Sequence, residues 1–228
     1  MSVIKAEEVS KIYNANTPHP VYALNKVSIA IEKGEFTTIV GPSGSGKTTL
    51  LNVIGGLDKP TLGKVYIENT NIAGLSPQEL VDFRLHHIGF VFQAYNLIPV
   101  LTAFENATFV MLLQGRPKEE IAARGKEILQ QVGLAERLDA KPAELSGGQQ
   151  QRVAVARALA SKPKFILADE PTANLDTDAA FNLLDIMQKM NEEEQVTFIF
   201  STHDQRVIKR ARRVITLVDG ALHSDVRQ

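Results

Sequence analysis

The chain has 228 residues, of which 44% are hydrophobic and 22% are charged, and its formal net charge is −1. This composition predicts a globular protein with a substantial core, and the balanced charge argues against a general polyanion binder, which carries a basic excess. Cysteine is absent, which excludes disulfides and thiolate metal sites and fits a reducing cytosol.

The N-terminus shows no secretion signal, because MSVIKAEEVSKIY has acidic residues where a signal peptide needs an apolar core. No apolar run approaches the roughly 18–20 residues of a membrane-spanning helix. We therefore expect a chain that does not cross a membrane by itself.

The N-terminal part of the chain predicts strands followed by one helix. Residues 1–34 alternate apolar and polar positions, which indicates antiparallel strands with a turn at Gly34. Phe36–Val40 is a short β-branched run that predicts a strand, and a glycine-rich loop and a helix follow it. That helix should extend to about Ile54 and end at the glycine pair that begins with Gly55.

The middle of the chain changes from β-type to helical patterns. Pro60 and Gly63 predict a turn into a second β-type stretch, KVYIEN. IGFVFQ predicts a strand that ends at Gln93, and from there to about Ser161 the pattern is mostly helical. The clearest helical stretches are Lys118–Val132 and Gln149–Ala160.

The C-terminal part returns to an alternation of strands and helices. Lys164–Ala168 is a continuous apolar run, as expected for a strand buried on both faces. A helix with one apolar face follows, and then the strand VTFIFST. The apolar face comprises Leu183, Leu184, Met187 and Met190. This alternation predicts an α/β fold with a mostly parallel sheet, in which the helical block at about 94–160 is an insertion.

The strongest motif is GPSGSGKT at residues 41–48, which matches G-x-x-x-x-G-K-[ST] between a predicted strand and a predicted helix. Its glycines let successive backbone N–H groups hold phosphate oxygens at a helix N-terminus. Lys47 would reach the β- and γ-phosphates, and Thr48 would offer its hydroxyl to Mg²⁺. The expected nucleotide-binding residues here are Gly41, Pro42, Ser43, Gly44, Ser45, Gly46, Lys47, Thr48 and Thr49.

Two carboxylates end the predicted strand FILADE. Ligands of open parallel sheets bind beyond the carboxyl ends of the strands, so Asp169 and Glu170 should lie near the phosphate loop. Asp169 would hold Mg²⁺ through water, and Glu170 would polarise the attacking water. By itself an Asp-Glu pair is usually a solvated strand end, and the phosphate loop is what favours a catalytic role.

Two further polar residues follow predicted strands. His203 comes after VTFIFST, and its imidazole would contact the γ-phosphate; a histidine in this place is otherwise a structural hydrogen-bonding residue. Gln93 would be a neutral ligand for Mg²⁺ or for the attacking water, and is otherwise a loop glutamine.

A second glycine-rich turn stands before an amphipathic helix in ELSGGQQQRVAVARAL, residues 144–159. The amides of Gly147 and Gly148 at this helix N-terminus form a second anion site, to which Ser146 adds a hydroxyl donor. One triphosphate cradle does not need two such sites on the same phosphate. We therefore expect this tip to close over a nucleotide held by another copy of the chain.

These motifs, in this order, resemble those of the nucleotide-binding subunit of ATP-binding cassette (ABC) transporters, and the resemblance covers essentially the whole chain. The set is Tyr13, GPSGSGKT, Gln93, LSGGQ at 145–149, FILADE, NLD at 174–176 and His203. The resemblance implies a P-loop NTPase (RecA-like) core with an N-terminal antiparallel β subdomain and an inserted α-helical subdomain. It implies one domain, 1–228, with the core at 1–93 and 161–228 and the helical subdomain at 94–160.

The resemblance also implies roles for individual residues, with ATP and Mg²⁺ as cofactors. Tyr13 would stack on adenine, and the catalytic residues would be Lys47, Glu170 and His203. The signature residues, which contact the γ-phosphate of the opposite subunit in a head-to-tail homodimer, would be Leu145, Ser146, Gly147, Gly148 and Gln149. The loop that crosses between the two sites would be Asn174, Leu175 and Asp176, and many members have serine where this chain has Asn174. Mg²⁺ would be held by Thr48, Gln93 and Asp169.

The stretch VFQAYNLIPVLTAFENA resembles the lipoprotein-releasing and macrolide-exporter (LolD/MacB-like) type of ABC ATPase. That type implies a separate permease with a large extracytoplasmic domain, driven by ATP-dependent dimer closure, and a peripheral place on the cytoplasmic face of the membrane. Permease docking is expected near Gln93–Leu101. The apolar patch comprises Tyr95, Leu97, Ile98, Pro99 and Leu101, which are otherwise core of the helical subdomain.

Three alternatives remain from sequence. The first is an ABC importer subunit or a cell-division ABC ATPase. The second is an ABC ATPase acting on ribosomes or DNA, for which KRARR at 209–213 is the only basic cluster, although helix-surface charge explains it more simply and no nucleic-acid partner is expected. The third is a non-ABC phosphate-loop kinase, which leaves LSGGQ unexplained. The cargo, whether lipoprotein, lipid, peptide or drug, is not written in this chain.

Overall fold

The computed structural model describes residues 2–228 and contains two β-sheets. The smaller sheet has four antiparallel strands in the order β2-β1-β4-β5. Its strands are β1 (Ser2–Tyr13), β2 (Val21–Glu32), β4 (Leu62–Ile67) and β5 (Thr70–Asn71). The predicted antiparallel strands and the turn at Gly34, which has φ +79°, are confirmed.

The larger sheet has six strands in the order β10-β9-β3-β8-β7-β6, and only β10 runs antiparallel to its neighbour. Its strands are β3 (Phe36–Val40), β6 (Ile88–Val91), β7 (Phe165–Asp169), β8 (Thr197–Ser201), β9 (Arg213–Val218) and β10 (Ala221–Arg227). The predicted α/β fold with a mostly parallel sheet is therefore confirmed. The carboxyl ends of β3, β6, β7 and β8 meet at one edge of this sheet.

Seven α-helices and three short 3-10 helices (Ile72–Gly74, Ala135–Arg137 and Pro142–Glu144) complete the described chain. The α-helices are α1 (Lys47–Ile54), α2 (Pro77–His87), α3 (Ala103–Leu113), α4 (Lys118–Gln131), α5 (Gly147–Ala160), α6 (Thr177–Glu194) and α7 (Gln205–Ile208). Helices α3–α5 lie between β6 and β7 in sequence, whereas these two strands pair directly. Among residues 2–228, no helix has the length and apolar character needed to span a bilayer.

Alternate residues of the parallel strands face two separate buried clusters. In β8, Phe198 and Phe200 pack with α3–α6, while Ile199 between them packs on the side of α1 and the smaller sheet. This two-residue alternation is the geometry of a strand with both faces covered. The central sheet therefore holds the helical segment on one side and the antiparallel sheet on the other.

Two sequence expectations differ from the structure. The predicted strand IGFVFQ ends at Val91 instead of Gln93, so Gln93 belongs to the loop beyond the sheet edge. Gly63 lies within β4 instead of in a turn before it. It has φ +87°, and a Cβ there would lie 2.5 Å from the carbonyl oxygens of Glu7 and Glu8 in β1. Gly63 is therefore needed where β1 is irregular between Glu7 and Ser10.

The basic run at 209–213 follows α7 and enters β9, so its interpretation as helix-surface charge is wrong. Arg213, 7% exposed, donates to Ala30 O in β2 at 2.7 Å. Its guanidinium also pairs with Asp225 at 2.6 Å and Glu35 at 2.9 Å, and Asp225 in particular raises the pKa of Arg213. These bonds join the smaller sheet to the sheet that carries the phosphate loop.

Candidate nucleotide site

The phosphate loop connects β3 to α1, and two of its glycines are required by close backbone approaches. Gly41 has φ +152°, and a Cβ there would lie 2.2 Å from Leu217 O. Gly46 has φ +97°, and a Cβ there would lie 2.3 Å from Ala23 O. No other residue type fits either position without displacing backbone. The loop is thus wedged between β9 and β2.

The N-terminus of α1 receives no hydrogen bond from a capping side chain. Helix α4 also lacks such a bond, whereas helices α2, α3, α5 and α6 each begin with a side chain that accepts a backbone N–H. Uncapped amides at a helix N-terminus carry partial positive charge and bind anions. The N-terminus of α1, which faces the sheet edge, is therefore suited to bind a phosphate group.

Lys47 lies in the first turn of α1, with its ammonium folded over the loop. Nζ donates to Gly41 O at 2.9 Å and to Pro42 O at 3.0 Å. An ammonium has three N–H donors, so one remains for an anion. Lys47 thereby places a positive charge above the uncapped amides.

Thr48 and Asp169 come together, as expected from the strand ends. Thr48 Oγ1 donates to Asp169 Oδ1 at 3.3 Å. Burial raises the pKa of the Asp169 carboxyl, and a neighbouring cation would relieve that cost. A hydroxyl and a carboxylate are the oxygen donors that Mg²⁺ prefers. Among residues 2–228, no group of three or more His, Cys, Asp or Glu side chains is placed to hold a metal ion.

Glu170 follows β7 in the left-handed region, with φ 46°, and its N–H donates to Ser201 O at 2.8 Å. Two side chains that follow β8 contact its carboxylate. Thr202 Oγ1 donates to Oε2 at 2.9 Å, and His203 Nδ1 lies 2.7 Å from Oε1. The Glu170 side chain is 18% exposed and that of His203 is 80% exposed. The pair therefore reaches from the sheet edge toward solvent.

Thr202 and Asp204 belong to this site, although the sequence analysis did not single them out. Asp204 accepts from Thr172 Oγ1 at 2.6 Å and from Arg206 at 2.7 Å. Hydrogen bonds from Arg206 and Thr172 outweigh burial and lower the pKa of Asp204 to about 2. Asp204 thus fixes the loop after β8 against the loop after β7. The stretch STHD directly before α7 was the available signal, because Asp is a preferred N-cap.

The tip of α5 is closed by a capping box. Ser146 Oγ accepts the N–H of Gln149 at 3.3 Å, and Gln149 Oε1 accepts the N–H of Ser146 at 2.9 Å. The hydroxyl hydrogen of Ser146 and the N–H groups of Gly147 and Gly148 take no part in this box. Both glycines are also packing positions, because a Cβ on Gly147 would lie 3.0 Å from Tyr95 Oη and one on Gly148 2.9 Å from the Cβ of Ala179.

Gln93 and Asn174 meet within one chain. Asn174 Nδ2 donates to Gln93 O at 2.9 Å, and the Gln93 side chain is exposed beyond the sheet edge. Asp176 is the N-cap of α6 and accepts the N–H of Ala179 at 2.8 Å. The 174–176 loop is thus held by hydrogen bonds within the same chain.

Two of the residues named from sequence pack inside the chain. Leu145 is 6% exposed and belongs to the core around α3–α6, so its side chain anchors the signature turn instead of reaching a ligand. Leu175 packs against the same cluster.

Tyr13 ends β1 beside the phosphate loop. It pairs with Val21 of β2, two residues from Ala23, whose carbonyl approaches Gly46. Tyr13 Oη donates to Asp58 Oδ2 at 2.8 Å, Lys11 Nζ lies 4.9 Å from the ring centroid, and the residue is 39% exposed. The aromatic ring is therefore partly exposed next to the loop, with Lys11 over one of its faces.

The residues of the predicted apolar patch differ in their exposure to solvent. Leu97 packs against the core, which is the structural interpretation allowed for it. Pro99 is exposed, and Val100, which the sequence analysis did not single out, is 74% exposed. The accessible apolar surface of this segment is therefore centred on Val100.

Comparison with known proteins agrees with this geometry. Residues 24–173 match the family model described as ABC transporter. The chain is 46% identical over 227 residues to an uncharacterized ABC transporter ATP-binding protein, MJ0796, of Methanocaldococcus jannaschii, covering 98% of this chain and 96% of that protein. It is 43% identical to a lipoprotein-releasing system ATP-binding protein, LolD 1, of Rhodopseudomonas palustris, covering 96% and 98%.

A solved structure is also similar. The ATP-binding cassette MJ0796, in a dimeric post-hydrolysis state bound to ADP and Pi, matches with a TM-score of 0.89 and 44% identity over 98% of both chains. Fold, site geometry and sequence therefore agree. The chain belongs to the ABC transporter family and is an ABC ATPase.

Proposed function

We propose that this chain is the ATP-binding and hydrolysing subunit of an ABC transporter, and that two copies close head to tail around two ATP molecules to drive a separate permease. The observation that carries this proposal is the edge of the central sheet. There the phosphate loop, Asp169, Glu170 and His203 converge, and at the tip of α5 the capping box does not use the N–H groups of Gly147 and Gly148.

At each site, different residues would bind the phosphates, accept the proton and hold the metal ion. Lys47 and the uncapped amides of α1 bind the phosphates. Glu170, oriented by Thr202 and His203, accepts a proton from the attacking water. Mg²⁺, held by Thr48, Asp169 and the Gln93 carboxamide, would neutralise phosphate charge when bound.

The second copy would supply the missing donors. Ser146 and the amides of Gly147 and Gly148 form an N-terminal anion site, which the capping box holds in place without consuming it. The dimer of MJ0796 bound to ADP and Pi supports this arrangement, because that chain is 44% identical over nearly the full length. Asn174 would lie where the two copies meet.

The permease is proposed to be of the export or mechanotransmission type, which would place this chain on the cytoplasmic face of a membrane. The support is the relative that belongs to a lipoprotein-releasing system and the segment Gln93–Leu101, where Val100 is 74% exposed. This segment begins at a proposed nucleotide ligand, so a docked permease element there would respond to nucleotide state.

Purification of the tagged native chain from gently solubilised membranes tests the proposed partner. We expect a co-purifying permease with few membrane helices and a large extracytoplasmic domain, and we expect Val100→Asp to reduce its recovery at least about tenfold, because a buried charge without a partner costs several kcal/mol. Val226→Asp is the control, since Val226 is 53% exposed on β10, away from this segment. A partner with many membrane helices and no such domain would contradict the export proposal.

A further inference from the structure

A strained turn follows Gln93 directly. Tyr95 and Asn96 have φ of 54° and 51°, so two consecutive non-glycine residues occupy the left-handed region. Asn96 N–H donates to Ala94 O at 2.5 Å, which closes the turn tightly. Such strain persists only where surrounding contacts enforce it, and it concentrates at functional sites.

Arg157 of α5 provides that enforcement. Its Nη1 donates to Asn96 O at 2.6 Å and its Nη2 to Tyr95 O at 2.8 Å. The planar guanidinium donates from two separate nitrogens at a fixed spacing, a fork that the single ammonium of a lysine does not have. Among residues 2–228, no carboxylate forms an ion pair with Arg157, and burial lowers the pKa of its guanidinium. Its donors are thus directed to the turn.

The same turn contacts the other loops of the site. Tyr95 Oη donates to Asn174 O at 3.4 Å, and Asn174 Nδ2 returns to Gln93 O at 2.9 Å. Tyr95 Oη also lies close to Gly147, since a Cβ there would be only 3.0 Å away. The turn therefore follows the proposed Mg²⁺ ligand Gln93 in sequence and contacts both the 174–176 loop and the tip of α5.

We propose that Arg157 is a positioning residue of the dimeric ATPase, which fixes the turn at Tyr95–Asn96 to α5 and thereby holds Gln93 and Ser146 of one chain in register. This inference rests on the proposed function, in which those two residues serve different nucleotides. Arg157 lies ten residues after Gly147, roughly 15 Å along the helix, so it does not contact the nucleotide itself. Its loss should weaken dimer closure and leave ATP binding to the phosphate loop intact.

The experiment uses the full-length chain carrying Glu170→Gln, with Arg157→Gln or Arg157→Lys added. We measure ATP affinity of the monomer by fluorescent-nucleotide titration, and the ATP concentration for half-maximal dimer formation by light scattering. We expect the ATP Kd to change less than about twofold and the dimerisation midpoint to rise at least about tenfold in both variants, because neither side chain has the two-nitrogen fork with which Arg157 donates to both carbonyls. Should Arg157→Gln fail to fold, Arg157→Lys carries the test.

Arg116→Gln is the matched control, because this side chain is 44% exposed and its one ion pair, with Glu120, is 3.5 Å long. It should leave both quantities unchanged. The inference is overturned if Arg157→Gln dimerises like its parent, or if its ATP affinity falls as much as its dimerisation. If the Glu170→Gln parent itself forms no dimer with ATP, the proposed function is wrong. The inference about Arg157 is then wrong as well, because it rests on that dimer. These outcomes are distinguishable.

Discussion

Replacement of Glu170 by glutamine should lower the kcat of ATP hydrolysis roughly 10²–10⁴-fold, the usual contribution of a positioned general base. The amide cannot accept the proton, yet it can still accept from Thr202 Oγ1, which now lies 2.9 Å from Oε2. Nucleotide binding should therefore survive. Phosphate release measured with ATP-Mg²⁺ gives the rate, and light scattering should show that ATP-bound dimer accumulates.

Glu193→Gln provides the control for this prediction. Glu193 also lies on the surface of the chain, 62% exposed on α6, with a loose 3.9 Å pair to Lys189. Surface pairs of this kind contribute little, so its kcat should equal that of the wild type. Unchanged hydrolysis in Glu170→Gln would show that another group is the base.

Replacement of Lys47 by methionine should weaken ATP binding roughly 10–100-fold and abolish hydrolysis at cellular ATP concentrations. The substitution removes the ammonium that now donates to Gly41 O and Pro42 O, and a hydrogen bond to a charged group contributes about 1.5–3 kcal/mol. ATP at 100 times the wild-type Kd should stabilise the wild type by about 2.7 kcal/mol and the variant far less. Thermal unfolding with and without ATP-Mg²⁺ measures this.

Lys189→Met is the matched control, because Lys189 is 62% exposed and forms the same weak pair with Glu193. Its ATP-dependent shift in Tm should equal that of the wild type. An undiminished shift in Lys47→Met would place the nucleotide elsewhere on the molecule.

The parts of the fold with strong local signals could be predicted from sequence. β3, β7 and β8 are short β-branched or apolar runs buried on both faces, and α6 presents the four predicted apolar residues to the core. The phosphate loop follows from the spacing of its motif, and Asp169 and Glu170 follow from their place at the end of the apolar run of β7. Parallel strands then bring their carboxyl ends to one edge, which is why Thr48 and Asp169 meet although 121 residues separate them.

Helix α2 was missed for a physical reason. Only Leu80 of its eleven residues is buried, so it has no apolar stripe to give a helical period. Its capping box, formed by Ser76 and Glu79 with Pro77 at the first position, was the usable signal.

Contacts between distant side chains could not be predicted either. Thr202 donates a hydrogen bond to Glu170, 32 residues away in sequence. Arg157 donates to the turn after Gln93, 61 and 62 residues away. Both contacts depend on the exact positions of loops beyond the strand ends. Neither can be predicted from composition or from the periodicity of hydrophobic residues. Arg213 is similar, since a basic run gave no indication that one of its members is buried between the sheets.

The shared nucleotide site is tested most directly by mixing two inactive variants. Glu170→Gln lacks the base, whereas Ser146→Asp keeps a good N-cap on α5 but places a negative charge where the partner's phosphate would lie. Ser146→Asn, which caps without the charge, is the control for folding.

The measurement is ATP hydrolysis by an equal mixture of the two variants, differently tagged so that mixed dimers can be captured and counted. A nucleotide shared between copies predicts recovery of about one quarter of wild-type activity, since half of the dimers are mixed and each holds one intact site. Captured mixed dimers that hydrolyse no more ATP than the separate variants would contradict it, because each site would then be completed within a single chain.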